Sequence, residues 1–309
     1  MKRIAAALSL LISPLIAGEF PWSDSVPADV AASALYPDTV LDEIPCDWRP
    51  VLTPVVKPLV RDCGSAREAV LRIAGGLSKV TGVYYTPARR KHNMNALEAL
   101  AEKKVSCTGQ SILLVCALRS VGIPARAVGV LTWNHIRGNH TWAEAWFDGE
   151  WHMIEYNEKA FNTSWVMENI GMLNTSRPAQ RIRAANPRGA VWWFPLPLYQ
   201  APNFRADDVT ERYQKLAECW YAENGVPADS QRLLIDMQPR RQTPLIIELL
   251  DEAKNVISAA KLPALTDDIR YFTRLTVPRK GQHFLRIQGS ATLRPVSVTS
   301  GPVQIVRLR

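Results

Sequence analysis

Between positions 107 and 155 the chain carries a cysteine, a histidine and a carboxylate, each placed where nucleophilic chemistry needs it. Cys107 lies in Ser106-Cys-Thr-Gly-Gln110, at the start of an expected helix. The first N–H groups of a helix have no intrahelical partner and the macrodipole is positive there, so a thiol in that turn is biased toward thiolate. The thiolate is the reactive nucleophile, and the Cys107 backbone N–H is placed to steady an oxyanion. His140 opens Gly138-Asn-His-Thr-Trp-Ala-Glu-Ala-Trp146, whose strand alternation sets Trp142, Glu144 and Trp146 on the histidine's face. Trp151-His-Met-Ile-Glu155 returns after Asp148-Gly149, a hairpin signal. Trp151 and Glu155 then share a face, and antiparallel pairing can bring Glu155 beside His140 to orient the imidazole. Each residue alone has an ordinary structural explanation; the order nucleophile, base, acid, each on the element its role demands, is the stronger signal.

Some assignments have competitors. Glu158 or Asn157 could supply the third group through a bend after Tyr156, although spacing and strand parity favour Glu155. Gln110 and Asn95 are candidate oxyanion donors, and Trp142 could wall a cleft or donate its indole N–H. Trp133, Trp146, Trp151 and Trp165, with Trp192-Trp-Phe194 downstream, are expected mostly in the core. Glu144 is expected to bond the backbone or Arg126, and His135 and His152 to be surface or opposite-face residues.

The elements that must hold these groups follow from pattern. Ser65 can cap a helix running through Gly75-Gly76, and a second helix covers 96–104. The nucleophile's helix starts at Ser106 and stops at Gly122 with Pro124 beyond; its middle is apolar nearly all round, which predicts a central buried helix. Strands are expected at 125–131, 141–147 and 151–156. An amphipathic helix covers 203–224, and from about Arg232 the period changes to 2, with strands at 245–250, 271–277, 283–287 and 303–308. The fold class is α+β, a helix-borne cysteine packed on an antiparallel sheet, followed by a small all-β sandwich-like domain. The expected organisation is an export signal at 1–17, a Pro-rich lead-in at 18–64 carrying Trp22 and Trp48, and a catalytic domain at 65–200. A helical connector at 201–230 and a β-sandwich-like domain at 231–309 complete it. No internal repeat is visible.

With these blocks in place the sequence resembles the transglutaminase-like superfamily of cysteine enzymes over roughly residues 65–160. The likeness is carried by Cys107-Thr-Gly-Gln-Ser, Arg119-Ser-Val-Gly-Ile-Pro-Ala-Arg126, the His140 string, and Asp148-Gly-Glu-Trp151 with an acid four residues on. It implies a papain-like fold with Cys107 as nucleophile, His140 as general base and acid, and Glu155 as orienting carboxylate. Two departures stand out. Members usually carry Asp at the third position followed by a small residue or proline, where this chain has Glu155-Tyr-Asn-Glu158; and the acidic calcium loops of animal transglutaminases are not evident, so calcium activation is not expected.

Composition bounds the rest. The 309 residues are 47% hydrophobic, enough to bury a real core, and 16 Gly and 22 Pro without a period exclude a fibrous or low-complexity chain. The net charge of +8 is scattered rather than gathered on one helix, which argues against nucleic-acid binding. Lys2-Arg3 followed by the apolar run 4–17 and small exit residues reads as a secretory signal, too short to span a bilayer, so a secreted or periplasmic protein without a membrane span in its mature chain is expected. Five cysteines are an odd number for an oxidising compartment; Cys46 and Cys63 are the candidate disulfide, and Cys116 and Cys219 are expected to be buried structural thiols. No CxxC, HxxxH or HExxH string is present, so neither a metal nor another cofactor is expected. The reading is an exported cysteine enzyme acting on amide or peptide bonds of a peptide or protein substrate, hydrolysis favoured over transfer to an amine. The alternatives are a catalytically silent scaffold of the same fold binding protein or glycan, or glycan binding through a tryptophan-rich surface.

Overall fold

The structure, a computed structural model, describes residues 19–23, 26–134, 138–189, 205–265, 272–299 and 301–308. The expected export signal, His135 and Trp192-Trp-Phe194 lie outside them. The chain divides into two compact units, the first made of Met1–Thr132, Gly138–Thr163 and Thr175–Thr210, the second of Trp133–Arg137, Ser164–Asn174 and Glu211–Arg309.

In the first unit the nucleophile's helix is central. Helices α1 (Ala28–Ala34), α2 (Arg49–Val60) and α3 (Ala66–Thr81) precede a two-residue strand β1 (Tyr84–Tyr85); α4 (Ala96–Glu102) and β2 (Lys104–Val105) lead into α5 (Cys107–Arg119). Ser65 caps α3 by accepting from the Glu68 N–H, as its sequence position suggested. In α5 every side chain from Ile112 to Arg119 is buried, so burial rather than an amphipathic stripe holds this helix in place. It packs on a sheet of order β5-β4-β3-β6-β7, built from β3 (Ala125–Val130), β4 (His140–Phe147), β5 (Glu150–Ile154), β6 (Arg183–Ala185) and β7 (Ala206–Asp208), all antiparallel. Asp148 and Gly149, at φ 53° and 82°, make the tight β4–β5 turn and pair Phe147 with Glu150.

The lead-in expected at 18–64 is part of this unit's core. Trp22, Val40, Leu41, Trp48, Leu52, Val56 and Val60 bury into the same cluster as α5. Buried Arg119 at the end of α5 donates to the carbonyls of Ala34, Pro37 and Thr39, and the Trp22 indole donates to the Val121 carbonyl at 2.8 Å. Three carbonyls of this Pro-rich segment are satisfied by one arginine of α5.

The second unit has its own core. Strands β8 (Ser230–Met237), β11 (Thr273–Pro278) and β14 (Val303–Leu308) form one sheet. A second contains β9 (Ile246–Leu250), β10 (Val256–Lys261), β12 (His283–Ile287) and β13 (Arg294–Val296). Leu233, Ile235, Leu275 and Val277 from the first sheet cluster with Ile247, Leu249 and Leu285 from the second, so the sheets share a sandwich core. One pairing of this unit is parallel, that of β14 with β8. Helices α6 (Ser164–Ile170) and α7 (Thr210–Glu223) complete this unit, α7 all but its first residue. The Tyr221 hydroxyl donates to the Glu168 carbonyl at 2.9 Å, and the Glu168 carboxylate pairs with Arg274. Residues 164–174, expected inside the domain at 65–200, are thus held with the β unit by a buried tyrosine and an ion pair. The segment expected as a connector at 201–230 gives β7 to the first unit and most of α7 to the second. Among the described residues no helix is long and apolar enough to cross a membrane.

Candidate active site

Cys107 is the first residue of α5, capped by Ser106, whose hydroxyl accepts from the Gly109 N–H at 2.9 Å and donates to the His92 carbonyl at 2.6 Å. The thiol is half-buried. Burial alone would raise its pKa; a hydrogen bond and charge interaction with His140, joined by bonds from the Thr141 backbone and the Thr108 hydroxyl, overcome that and hold it below the ordinary thiol range. Thr108 and Thr141 are themselves hydroxyl-bonded at 3.1 Å, and Ser111 donates to the Thr141 carbonyl at 2.9 Å, so the first turn of α5 is stitched to the start of β4.

His140 is the first residue of β4. Its Nε2 lies 2.6 Å from Glu155 Oε1, which leaves Nδ1 for the thiol. Burial works against the imidazolium, but Cys107 and Glu155 on either side raise the histidine's pKa well above the usual range. The Glu155 carboxyl is likewise opposed by burial and yet held low, by His140 and by the Thr163 hydroxyl that donates to its second oxygen. The β4–β5 register, with Ala143 opposite Ile154, continues to Trp142 opposite Glu155, so the acid is the diagonal neighbour of His140 on one face. Beyond Glu155 the chain is pinned to α3: the Asn157 N–H donates to the Ala74 carbonyl at 2.9 Å and the Ser78 hydroxyl to Asn157 Oδ1 at 2.8 Å. Gly75 on α3 allows this approach, since a Cβ there would lie 3.0 Å from Lys159 Cγ and 3.4 Å from the Glu158 carbonyl oxygen.

With thiol, imidazole and carboxylate on one line, the sequence comparison falls into register with the geometry: residues 54–156 match the family model described as Transglutaminase-like superfamily. Residues 54–156 form a transglutaminase-like core. Among solved structures the chain is similar to a candidate cysteine protease from Cytophaga hutchinsonii, at 17% identity and TM-score 0.36, over 44% of this chain and 45% of the other. It is also similar to a transglutaminase ("TGase") at 15% identity and TM-score 0.30, over 38% and 34% of the two chains, and to red sea bream transglutaminase at 10% and 0.35, over 81% and 58%. The chain thus spans between about a third and three fifths of the length of these structures. No curated protein matches it.

Within the transglutaminase-like core the remaining candidates sort by contact. Glu158 is exposed, with its carboxyl raised by burial and by the charge of Glu155, and the Asn157 side chain is bound to Ser78, so neither is the imidazole's partner. Asn95 serves as the helix cap of α4, accepting from Glu98 N–H at 2.9 Å and spending its own amide on the Ile44 carbonyl at 3.0 Å. Gln110 is half-buried, its backbone N–H bonded to Ser106. Trp142 is buried and stacks on His140 with centroids 5.8 Å apart, which makes it a wall for the imidazole. Glu144, fully buried, bonds Arg126 at 2.8 Å, and Arg126 also reaches Asp207 and covers the Trp151 ring. No described tryptophan is exposed, so none of these tryptophans offers an aromatic platform to a glycan.

The thiols differ from expectation. Cys46 and Cys63 are both free, Cys63 lying 4.0 Å from the Leu59 carbonyl. They flank the twelve residues of α2, a rise of about 18 Å, where a disulfide needs Cα atoms within roughly 7 Å. Cys116 is buried and its thiol pushed up by burial, whereas Cys219 is exposed rather than buried. Sequence reasoning did not single out Thr108, Thr141 and Thr163; hydroxyls in a helix turn, a strand and a loop carry no local signature, and only the register brings them to the site. Among the described residues no group of three or more His, Cys, Asp or Glu is placed to hold a metal.

Proposed function

We propose that this protein is an exported cysteine enzyme that opens amide or peptide bonds through Cys107, His140 and Glu155. The observation that carries the reading is the continuous chain from a helix-start thiol with a lowered pKa, through an imidazole with a raised one, to a carboxylate 2.6 Å away. The Cys107 thiolate attacks the carbonyl carbon, forming a C–S bond while the carbonyl electrons move to oxygen; the Cys107 backbone N–H, first in its helix and without an intrahelical acceptor, is placed to receive that oxyanion. His140 passes its proton to the leaving nitrogen as the C–N bond breaks, leaving a thioester. A water then gives its proton to His140 and attacks the thioester, and the thiolate departs. Glu155 stays ionised throughout and, held by Thr163, keeps Nε2 occupied so that Nδ1 faces the sulfur. Hydrolysis is favoured over transfer because water is the acceptor always at hand at a half-exposed thiol.

The test is intact-mass spectrometry after iodoacetamide at pH 6, where an ordinary thiol of pKa about 8.5 reacts slowly. Fast single labelling at Cys107 that is lost in His140→Ala, followed by turnover in a peptide-library screen that Cys107→Ser abolishes, is the expected result. A slow Cys107 would remove the nucleophile and leave a silent scaffold of the same fold.

A further inference from the structure

The loop between β1 and α4 is fastened to the nucleophile's doorstep at both ends. At its start the Thr86 N–H donates to the Val105 carbonyl at 3.0 Å; near its end the His92 carbonyl accepts from Ser106 Oγ at 2.6 Å. Residues 105 and 106 are the two that precede Cys107, and a Cβ on Gly109 would come within 3.7 Å of the His92 oxygen. This loop carries the basic run Arg89-Arg90-Lys91. Two of its three cations are neutralised on the spot: Arg90 binds Glu102 at 2.7 Å and Glu98 at 3.2 Å, and Lys91 binds Glu98 at 2.6 Å.

Arg89 is different. It is half-buried, and no carboxylate pairs with it among the described residues. One N–H of Nη1 goes to the Thr86 carbonyl at 2.9 Å, one of Nη2 to His92 Nδ1 at 2.8 Å, and its Nε is buried with no hydrogen-bond partner. Because a guanidinium can only donate, His92 must offer Nδ1 as an acceptor and is therefore neutral, so it cannot serve as a repelling cation. Each terminal nitrogen keeps one further N–H that an anion can accept, and the Tyr85 ring lies 6.0 Å from the guanidinium carbon. A partly desolvated cation without a counter-charge is costly, and an arriving anion would relieve it.

We infer that Arg89 is a substrate-recognition residue whose guanidinium takes a carboxylate of the acyl substrate that Cys107 attacks. The substrate class is accordingly an acidic peptide or amide, and this rests on the cysteine-nucleophile reading above. Thr86 and His92 are positioning residues that hold the guanidinium in place.

The test uses the full chain and a graded set of alkylating reagents at constant ionic strength: iodoacetate, and N-iodoacetyl derivatives of glycine, β-alanine and 4-aminobutyrate, each beside its neutral amide. Wild type should alkylate Cys107 about tenfold faster with the carboxylate of best length than with its amide, the size of one charge-assisted pair. Arg89→Gln should bring that ratio to near one, whereas Arg90→Gln, whose charge is already paired, should keep it. The ratio compares two reagents on one protein, so a general change in thiol reactivity cancels. A flat ratio in wild type, or a preference that survives Arg89→Gln, would overturn the inference while fast iodoacetamide labelling left the nucleophile standing. Slow iodoacetamide labelling would instead overturn the nucleophile reading and this inference with it.

Discussion

At the scale of single residues, reactivity is set by opposing influences on one thiol. Burial pushes Cys107 up and His140 pulls it down, with the pull prevailing. Between the lowered pKa of the thiol and the raised pKa of the imidazole the pair exists as thiolate and imidazolium, so the alkylation rate should level off at a pH below that at which an ordinary thiol titrates. In His140→Ala the burial is left with only the weaker bonds of Thr141 and Thr108 against it. The inflection should move up past the wild-type value, and the rate at pH 6 should fall at least about tenfold, since each unit of pKa is a factor of ten in thiolate fraction. Glu155→Gln acts on the other side: it removes a charge that raises the His140 pKa, so the ion-pair window narrows from its alkaline end while the acid limb moves less. A pH–rate profile of iodoacetamide labelling for the three proteins checks both. An unchanged alkaline limb in Glu155→Gln would mean that the carboxylate orients the imidazole without tuning it.

At the scale of elements, the site depends on how α5 begins. Ser106 satisfies the Gly109 N–H and binds the His92 carbonyl, so Ser106→Ala should cost about 1–2 kcal/mol of stability, read as a lowered urea midpoint, and slow Cys107 labelling as the first turn loosens. Gly109 has a separate reason. A Cβ there would come 2.9 Å from Val105 Cβ, forcing β2 and the helix start apart, so Gly109→Ala should be more damaging to labelling than to helix content by circular dichroism. The features that sequence pattern reaches are a serine at the helix start and a two-residue turn whose hairpin register carries Glu155 back toward His140. Where pattern fell short, the cause was often a contact that single positions do not show. Asn95 looks like a free amide until Ile44 arrives to accept from it, and Cys46 and Cys63 look like neighbours in sequence until a helix separates them. The 18–64 segment looks like a lead-in outside the catalytic domain until Arg119 binds its carbonyls. The Asn95–Ile44 and Arg119 contacts are made by tertiary packing, which local composition does not encode.

At the scale of the whole molecule, the chain keeps chemistry and sandwich in different compact units. Cys107, His140, Glu155, Thr163 and the Arg89 loop all belong to the first, and the β sandwich has a hydrophobic cluster of its own. The first unit also holds a buried charge network that its stability must respect. Glu144 is fully buried against Arg126, so Arg126→Met removes the cation paired with a buried carboxylate and should destabilise this unit by about 3–5 kcal/mol. The sandwich offers the complementary perturbation. Leu249 is fully buried between its sheets, and Leu249→Ala removes its side chain at a cost of about 2–5 kcal/mol. If the units are energetically distinct, urea unfolding followed by Cys107 labelling should shift in Arg126→Met, while Leu249→Ala should lower only the transition seen by amide hydrogen exchange in the sandwich strands. Native-buffer labelling of Cys107 should then be the same in Leu249→Ala as in wild type. A parallel collapse of labelling and sandwich protection in Leu249→Ala would show a single cooperative molecule, in which the sandwich is a structural support of the site.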